Sequence, residues 1–305
     1  MKTLKESIKF TLEKKTHQIS KLKNSHFIEP IEELEAYLKD IEDDSFIGEN
    51  YKYISIWNHW NFINDFISKN ILNYNYLAKS TYYSLESNNY DFFIGELVQT
   101  YHSAISFTKS IKHLGQMLYL GQKENAIKYG NFLLKMLYGK QYNGWIVFPT
   151  HPWFMLALFC KWQNITLDYE KLNYPDNMGV YHNALDNWNT IDTQLLSNNI
   201  DSLSKFHITQ SDEDELGNAN DENGDGYDLE FTSADYFIFP VEILMWLAIR
   251  RDLGLPEYKP SSANKLMQLE INQLPSATIP MYKDALIQKC KNKLMQENSD
   301  ITFKL

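Results

Sequence analysis

Arginine is nearly missing from this 305-residue sequence: of 29 basic residues only Arg250 and Arg251 carry a guanidinium. The planar guanidinium fork is what recognises phosphates and base edges, so its scarcity argues against a nucleic-acid partner. Codon usage in an AT-rich genome, which favours Lys, Asn, Ile and Tyr, would produce the same scarcity. The excess of 39 acidic over 29 basic residues is the firmer argument, because a polyanion is repelled by such a chain.

Cysteine is equally sparse. Cys160 and Cys290 alone are too few and too far apart for a disulfide scaffold, which fits a reducing cytoplasm and indicates no redox role. The longest apolar run, residues 237–249, is interrupted by Pro240 and Glu242 and falls short of the roughly 20 residues a membrane span needs. It reads as a buried core helix, and no membrane partner is expected. Lys2, Lys5, Lys9, Lys14 and Lys15 precede no continuous apolar stretch, so no secretion signal is read and a cytoplasmic location is expected.

Catalytic motifs are missing too. There is no Gly-x-Ser-x-Gly, no phosphate-binding loop, no His-Glu-x-x-His and no Cys-x-x-Cys, and each absence removes a mechanism. The eight histidines, at 17, 26, 59, 102, 113, 151, 182 and 207, share no metal-ligand spacing. His59, between Trp57 and Trp60, reads as a core histidine or an acid-base residue in an aromatic pocket. Glu242, inside an apolar helix, must be paired, with Arg250 or a lysine as the expected partner. No enzymatic activity, cofactor or metal is expected, although a site assembled from distant residues such as His59, His102 and Glu242 stays open.

What is present is apolar and helical. Apolar residues at 44% and aromatic residues at 14% supply the surface a folded core needs. With only 12 glycines and 9 prolines, apolar residues recur at helical spacing with almost no two-residue alternation. The expected fold is all-α, an irregular helical bundle or an array of α-hairpins, since no fixed repeat period appears. The expected division is an N-terminal helical region, 1–140, and a C-terminal one, 141–305, unless the chain is a single domain.

Leu4, Ile8, Leu12, Ile19 and Leu22 form one apolar stripe and Ile31, Leu34, Leu38 and Ile41 another, predicting two antiparallel helices of opposite charge. Helices are also expected over 51–72, 77–85 (ending near Asn88-Asn89), 92–120, 124–138, 153–162, 180–196 (ended by Asn198-Asn199), 200–208, 240–253 and 281–295.

The charge is concentrated. Between Lys205 and Arg250 no lysine or arginine occurs, while Asp212, Glu213, Asp214, Glu215, Asp221, Glu222, Asp225, Asp228, Glu230 and Asp235 supply ten negative charges, matching the whole net charge of -10. A stretch so uniform repels itself, so region 211–236 serves to hold a cation, to meet a cationic partner, or as a solvated linker. Asp221-Glu222-Asn223-Gly224-Asp225-Gly226 matches positions 1, 3, 5 and 6 of a calcium loop, yet Asp228 and Thr232 stand where an apolar residue and the bidentate glutamate belong. Asp228, Glu230 or Asp235 could substitute as ligands; an ordinary acidic turn is the alternative.

Residues 227–231 (Tyr-Asp-Leu-Glu-Phe), leading into Tyr236-Phe237-Ile238-Phe239-Pro240-Val241-Glu242-Ile243-Leu244 and closing with Leu253-Gly254-Leu255-Pro256, resemble helical immunity proteins of bacterial polymorphic-toxin and type VI secretion systems. The preceding segment 153–162 is similar as well, and the likeness covers residues 118–256; the acidic insertion departs from the family pattern. The resemblance implies a cytoplasmic protein that binds a cognate secreted toxin domain and blocks it without catalysis. Independently, an acidic surface would be steered to a basic, nucleic-acid-targeting toxin, with Tyr227, Phe231 and Tyr236 as aromatic anchors. A helical-repeat scaffold that binds peptides or proteins in a groove is the other reading.

Overall fold

A computed structural model describes residues 3–98, 103–139, 141–142, 148–212 and 229–305. The chain is all-α. Among the described residues the only β feature is an isolated parallel bridge between Ser211 and Phe231. Two compact units form, each from two stretches: Met1–Lys15 with Trp145–Ala277, and Thr16–Gly144 with Thr278–Leu305. Relative to a split at 140, the two terminal segments are exchanged. In the first unit Phe10 lies 5.7 Å from Phe237 and the Thr11 hydroxyl donates to the Ala234 carbonyl. In the second, the C-terminal helix lies on a helix near the start of the chain.

The second unit begins where α1 (Leu4–Lys23) continues through a π-turn, Asn24–Ile28, into α2 (Glu29–Leu38). Lys23 and Glu29 on either side of that turn keep right-handed helical dihedrals, so the predicted antiparallel pair is one continuous helical run. The bulge inserts a residue without breaking the ladder, which an apolar stripe cannot reveal. Helices α3 (Ile47–Lys69) and α4 (Tyr74–Leu97) form the centre, followed by the hairpin α5 (Phe107–Tyr119) and α6 (Lys123–Tyr138). Gly121, at φ +75°, makes the reversal between them, a backbone state that favours glycine. Helix α11 (Ala285–Glu297), capped by Asp284, adds Ile287, Cys290 and Leu294 to a core with Leu34, Tyr51, Ile54, Tyr83 and Phe93.

Helix α4 runs straight through Asn88-Asn89, where a break was expected. Asparagine interrupts helices when its side chain competes for local backbone groups. Here both side chains are fully buried and bond elsewhere. Asn88 donates to the Ser110 hydroxyl (2.9 Å) and the Tyr129 hydroxyl (2.6 Å) and accepts from Ser103. Asn89 accepts from the backbone of Lys304 and Leu305. The expected 92–120 helix divides instead between α4 and α5, where Asp91 accepts the Ala104 amide at 2.7 Å and Ser106 caps α5.

The first unit contains α7 (His151–Gln163), α8 (Tyr181–Asp186), α9 (Thr193–Thr209) and α10 (Val241–Asp252). Trp153, Phe154, Tyr181 and Trp246 are fully buried in it. Helix α9 passes through Asn198-Asn199; the break lies earlier, at 187–192, because Asp192 accepts the amides of Gln194 and Leu195 as an N-cap. Helix α10 ends at Gly254, φ +65°, as the sequence predicts. Burial pushes the Cys160 thiol up to about 12 and Cys290 to about 11, which keeps both unreactive.

Gly48 tests the α3–α4 contact. An added Cβ would lie 2.2 Å from the Asp91 carboxylate and 2.8 Å from the Tyr90 ring, whereas at Gly95 the nearest atom is 3.6 Å away. Gly95→Ala should leave stability unchanged or raise it by up to about 1 kcal/mol through helix propensity. Gly48→Ala should reverse that sign and cost about 1–3 kcal/mol by overpacking. Urea unfolding of the two variants measures the difference; equal stabilisation of both would contradict this packing.

Candidate functional site

The charged stretch begins just after α9, at Asp212, and the described chain resumes at Leu229 ahead of α10. The Asp212 amide donates to the Phe231 carbonyl and the Phe231 amide to the Gln210 carbonyl, both at 3.0 Å. Residues 213–228 are therefore bracketed by backbone bonded to itself. The Ser211 hydroxyl donates to the His207 carbonyl at 2.7 Å, fixing the exit from α9.

Below this closure the Phe231 ring sits between two buried imidazoles, 4.1 Å from His207 and stacked 4.8 Å from His151. His207, in the last turn of α9, places Nδ1 2.8 Å from the Glu242 carboxylate and Nε2 3.0 Å from the Tyr236 carbonyl. Both partners are acceptors. The pair must therefore hold a proton on each contact, and wherever the shared proton sits, His207 with Glu242 is net neutral, as full burial demands. Glu242 lies in the first turn of α10 and His207 in the last turn of α9, the helix ends that favour those charges.

Glu230 plays the corresponding part at His151. Its Oε1 accepts from the Thr150 hydroxyl at 2.8 Å, from the His151 amide and from His151 Nδ1 at 3.3 Å. Thr150 gives α7 no side-chain cap, so the carboxylate of a residue 79 positions away caps it instead. Burial, and then the charges of Glu242 and Glu230, raise the Tyr181 phenol well above its ordinary value, so it remains protonated beside them.

This geometry divides the sequence-derived contact set. Glu230, Phe231, Asp235 and Tyr236 are buried within the chain. Glu230 caps α7, Phe231 separates the imidazoles, Asp235 accepts from the Ser233 hydroxyl at 2.5 Å, and Tyr236 presents its carbonyl to His207. As anchors for a partner these four are corrected: their polar atoms and rings are engaged inside the unit. Asp212 is half-buried at the edge. Glu213, Asp214, Glu215, Asp221, Glu222, Asp225, Tyr227 and Asp228 lie outside the described residues, as does the calcium-loop match over 221–226. Among the described residues no group of three or more His, Cys, Asp or Glu side chains could hold a metal ion.

One further expectation changes. Glu242 pairs with His207, not Arg250, whose guanidinium donates to the carbonyls of Trp188, Thr190 and Pro256 at the other end of α10. His59 is buried, as the core reading expects, with Nδ1 3.3 Å from the Gln116 amide nitrogen, and His102 lies outside the described residues. Sequence reasoning overlooked His151 and His207. The available signal was an apolar helix with a carboxylate in need of a partner and a histidine ending the helix just before the acidic stretch.

No protein-family model, curated protein or solved structure matches the chain. Among the described residues no helix is long and apolar enough to cross a membrane.

The pair predicts strong non-additivity. Glu242→Ala or His207→Ala alone should cost about 3–5 kcal/mol, because each leaves a buried partner uncompensated, while the double variant should cost less than the sum. Additive losses in urea unfolding would contradict the pairing. In the second unit, burial first, and then the neighbouring His59, Lys109 and Lys112 charges, push His113 down to about 3. The unfolded chain protonates His113 near its ordinary value of about 6.5 while the folded chain does not, so stability present above that pH is lost as pH falls. Between pH 7 and pH 5 this amounts to about 2 kcal/mol. His113→Leu should shrink the acid loss by that amount; an unchanged loss would contradict it.

Proposed function

We propose that this chain is an immunity protein that binds a cognate secreted antibacterial toxin domain and blocks it by occlusion. Asp212 and residues 213–228 form its anionic contact surface. The observation that carries the reading is the closed base: one pair of backbone hydrogen bonds between 210–212 and 231 flanks the seven carboxylates that the sequence places between 213 and 228. Fixing both ends of a segment reduces the chain entropy that binding it must overcome. Its single sign of charge would steer it to a basic cleft, such as that of a nucleic-acid-targeting toxin, and compete there with the polyanionic substrate.

In this reading Glu230, Phe231, Asp235 and Tyr236 hold the surface rather than touch the partner. The polymorphic-toxin or type VI secretion context follows from the resemblance over residues 118–256, and it places the protein in the cytoplasm of the producing cell. The gene beside this one is then expected to encode a large secreted protein with a variable C-terminal domain.

Expressing that domain in bacteria should arrest growth, and co-expressing this chain should restore it. Reversing Asp212, Glu213, Asp214 and Glu215 to lysine should slow association with the domain about tenfold or more at low salt and flatten its salt dependence, with dissociation less affected. Failure to rescue growth would overturn the immunity reading. Unchanged association kinetics would overturn the assignment of the contact surface.

A further inference from the structure

One face of α9 borders an open cleft of about 450 Å³ in the first unit, a volume within the range of small-molecule sites. Asp201, Ser204, Lys205 and Ile208 recur there at intervals of three and four, so they share one stripe of the helix. Leu4, at the start of α1, and Ala263 join Ile208 as the apolar part of the wall. Asn264 and Lys265 line the cleft as well, and Asp201 is its one carboxylate among the described residues.

That carboxylate is held in place from one side only. Buried Asn264 donates through Nδ2 to Asp201 Oδ1 at 2.7 Å and to the Ser204 hydroxyl at 3.0 Å, and the Tyr258 hydroxyl donates to the same Oδ1 at 3.3 Å. Asp201 Oδ2 makes no hydrogen bond among the described residues and keeps contact with solvent. Lys205 lies one turn on, in the i, i+4 order that favours an ion pair, yet among the described residues it pairs with no carboxylate. Lys265 donates only to the Gln268 side chain, at 3.3 Å. A single carboxylate supplies too few ligands for a divalent cation, whereas an ammonium brings one charge and three donors. The two lysines would repel a ligand that was cationic alone; a carboxylate on the same molecule makes them partners.

We propose that this cleft binds a free α-amino acid with an apolar side chain. Its ammonium donates to Asp201 Oδ2, its carboxylate accepts from Lys205, and its side chain packs on Leu4, Ile208 and Ala263. The site lies outside the acidic segment and does not rest on the immunity reading.

The test uses the full chain and four probes followed by amide chemical shifts: leucine; glycine, which lacks the apolar side chain; leucinamide, which lacks the carboxylate; and N-acetylleucine, which lacks the ammonium. Leucine should bind saturably, with shifts at Lys205, Ile208 and Asn264. Each of the other three should bind about tenfold more weakly, reflecting one lost charge-assisted contact or lost apolar burial. Asp201→Asn keeps an acceptor for Asn264 and Tyr258 but removes the charge, and should weaken leucine binding about tenfold. Ala263→Trp, which fills the cleft from an exposed position, should abolish it. If Asp201→Asn fails to fold, Ala263→Trp carries the test. No saturable binding of leucine, equal binding of leucinamide or N-acetylleucine, or equal binding to wild type and Ala263→Trp would overturn the proposal.

Discussion

His207 is the constraint on which the first unit depends. A buried imidazole bonded through both nitrogens to oxygen acceptors must keep a proton on each contact, and Glu242 balances the charge within 2.8 Å. Losing either partner leaves the other charged or unsatisfied in an apolar interior. Everything that closes the base of the charged stretch is tied to this pair. Tyr236 supplies the second acceptor, Ser211 bonds the His207 carbonyl, and Phe231 lies on the ring. Glu230 then links the same short segment to the start of α7.

The arrangement separates two roles within a run of like charge. Carboxylates repelling one another in solvent contribute long-range field but little structure. Carboxylates brought inside must be bonded, and Glu230, Asp235 and Glu242 each have a specific donor. Residues 230–242 hold their carboxylates inside the unit.

Helical class was legible because period-3.6 apolar spacing and scarce glycine leave little else for the chain to form. Helices α7 and α10 were legible at both ends, through Pro152 and Asn164 for one and Pro240 and Gly254 for the other. The asparagine pairs misled because their effect depends on where the side chain bonds. Asn88 bonds Ser110 and Tyr129, and Asn89 bonds the backbone of residues 304–305 and the Glu86 carboxylate, so α4 continues. Helix α1 runs into α2 for a related reason: a π-turn leaves no composition signal. The site was half legible. Glu242 was marked as a carboxylate needing a partner, but the partner lies 35 residues earlier, and no local spacing encodes that pairing.

The same limit explains why Phe231 and Tyr236 read as exposed anchors. Aromatic residues inside an acidic run look like interface hot spots until the fold shows the unit burying them. In the proposed reading the partner meets Asp212 and the carboxylates of 213–228, and the backbone bonds of 210–212 with 231 close their base. Native-state amide hydrogen exchange at Asp212 and Phe231 addresses this base most directly. The account predicts that both amides exchange as slowly as those in the last turn of α9, and that Glu242→Gln releases them together. Exchange at the rate of an open chain in the wild-type protein would contradict it.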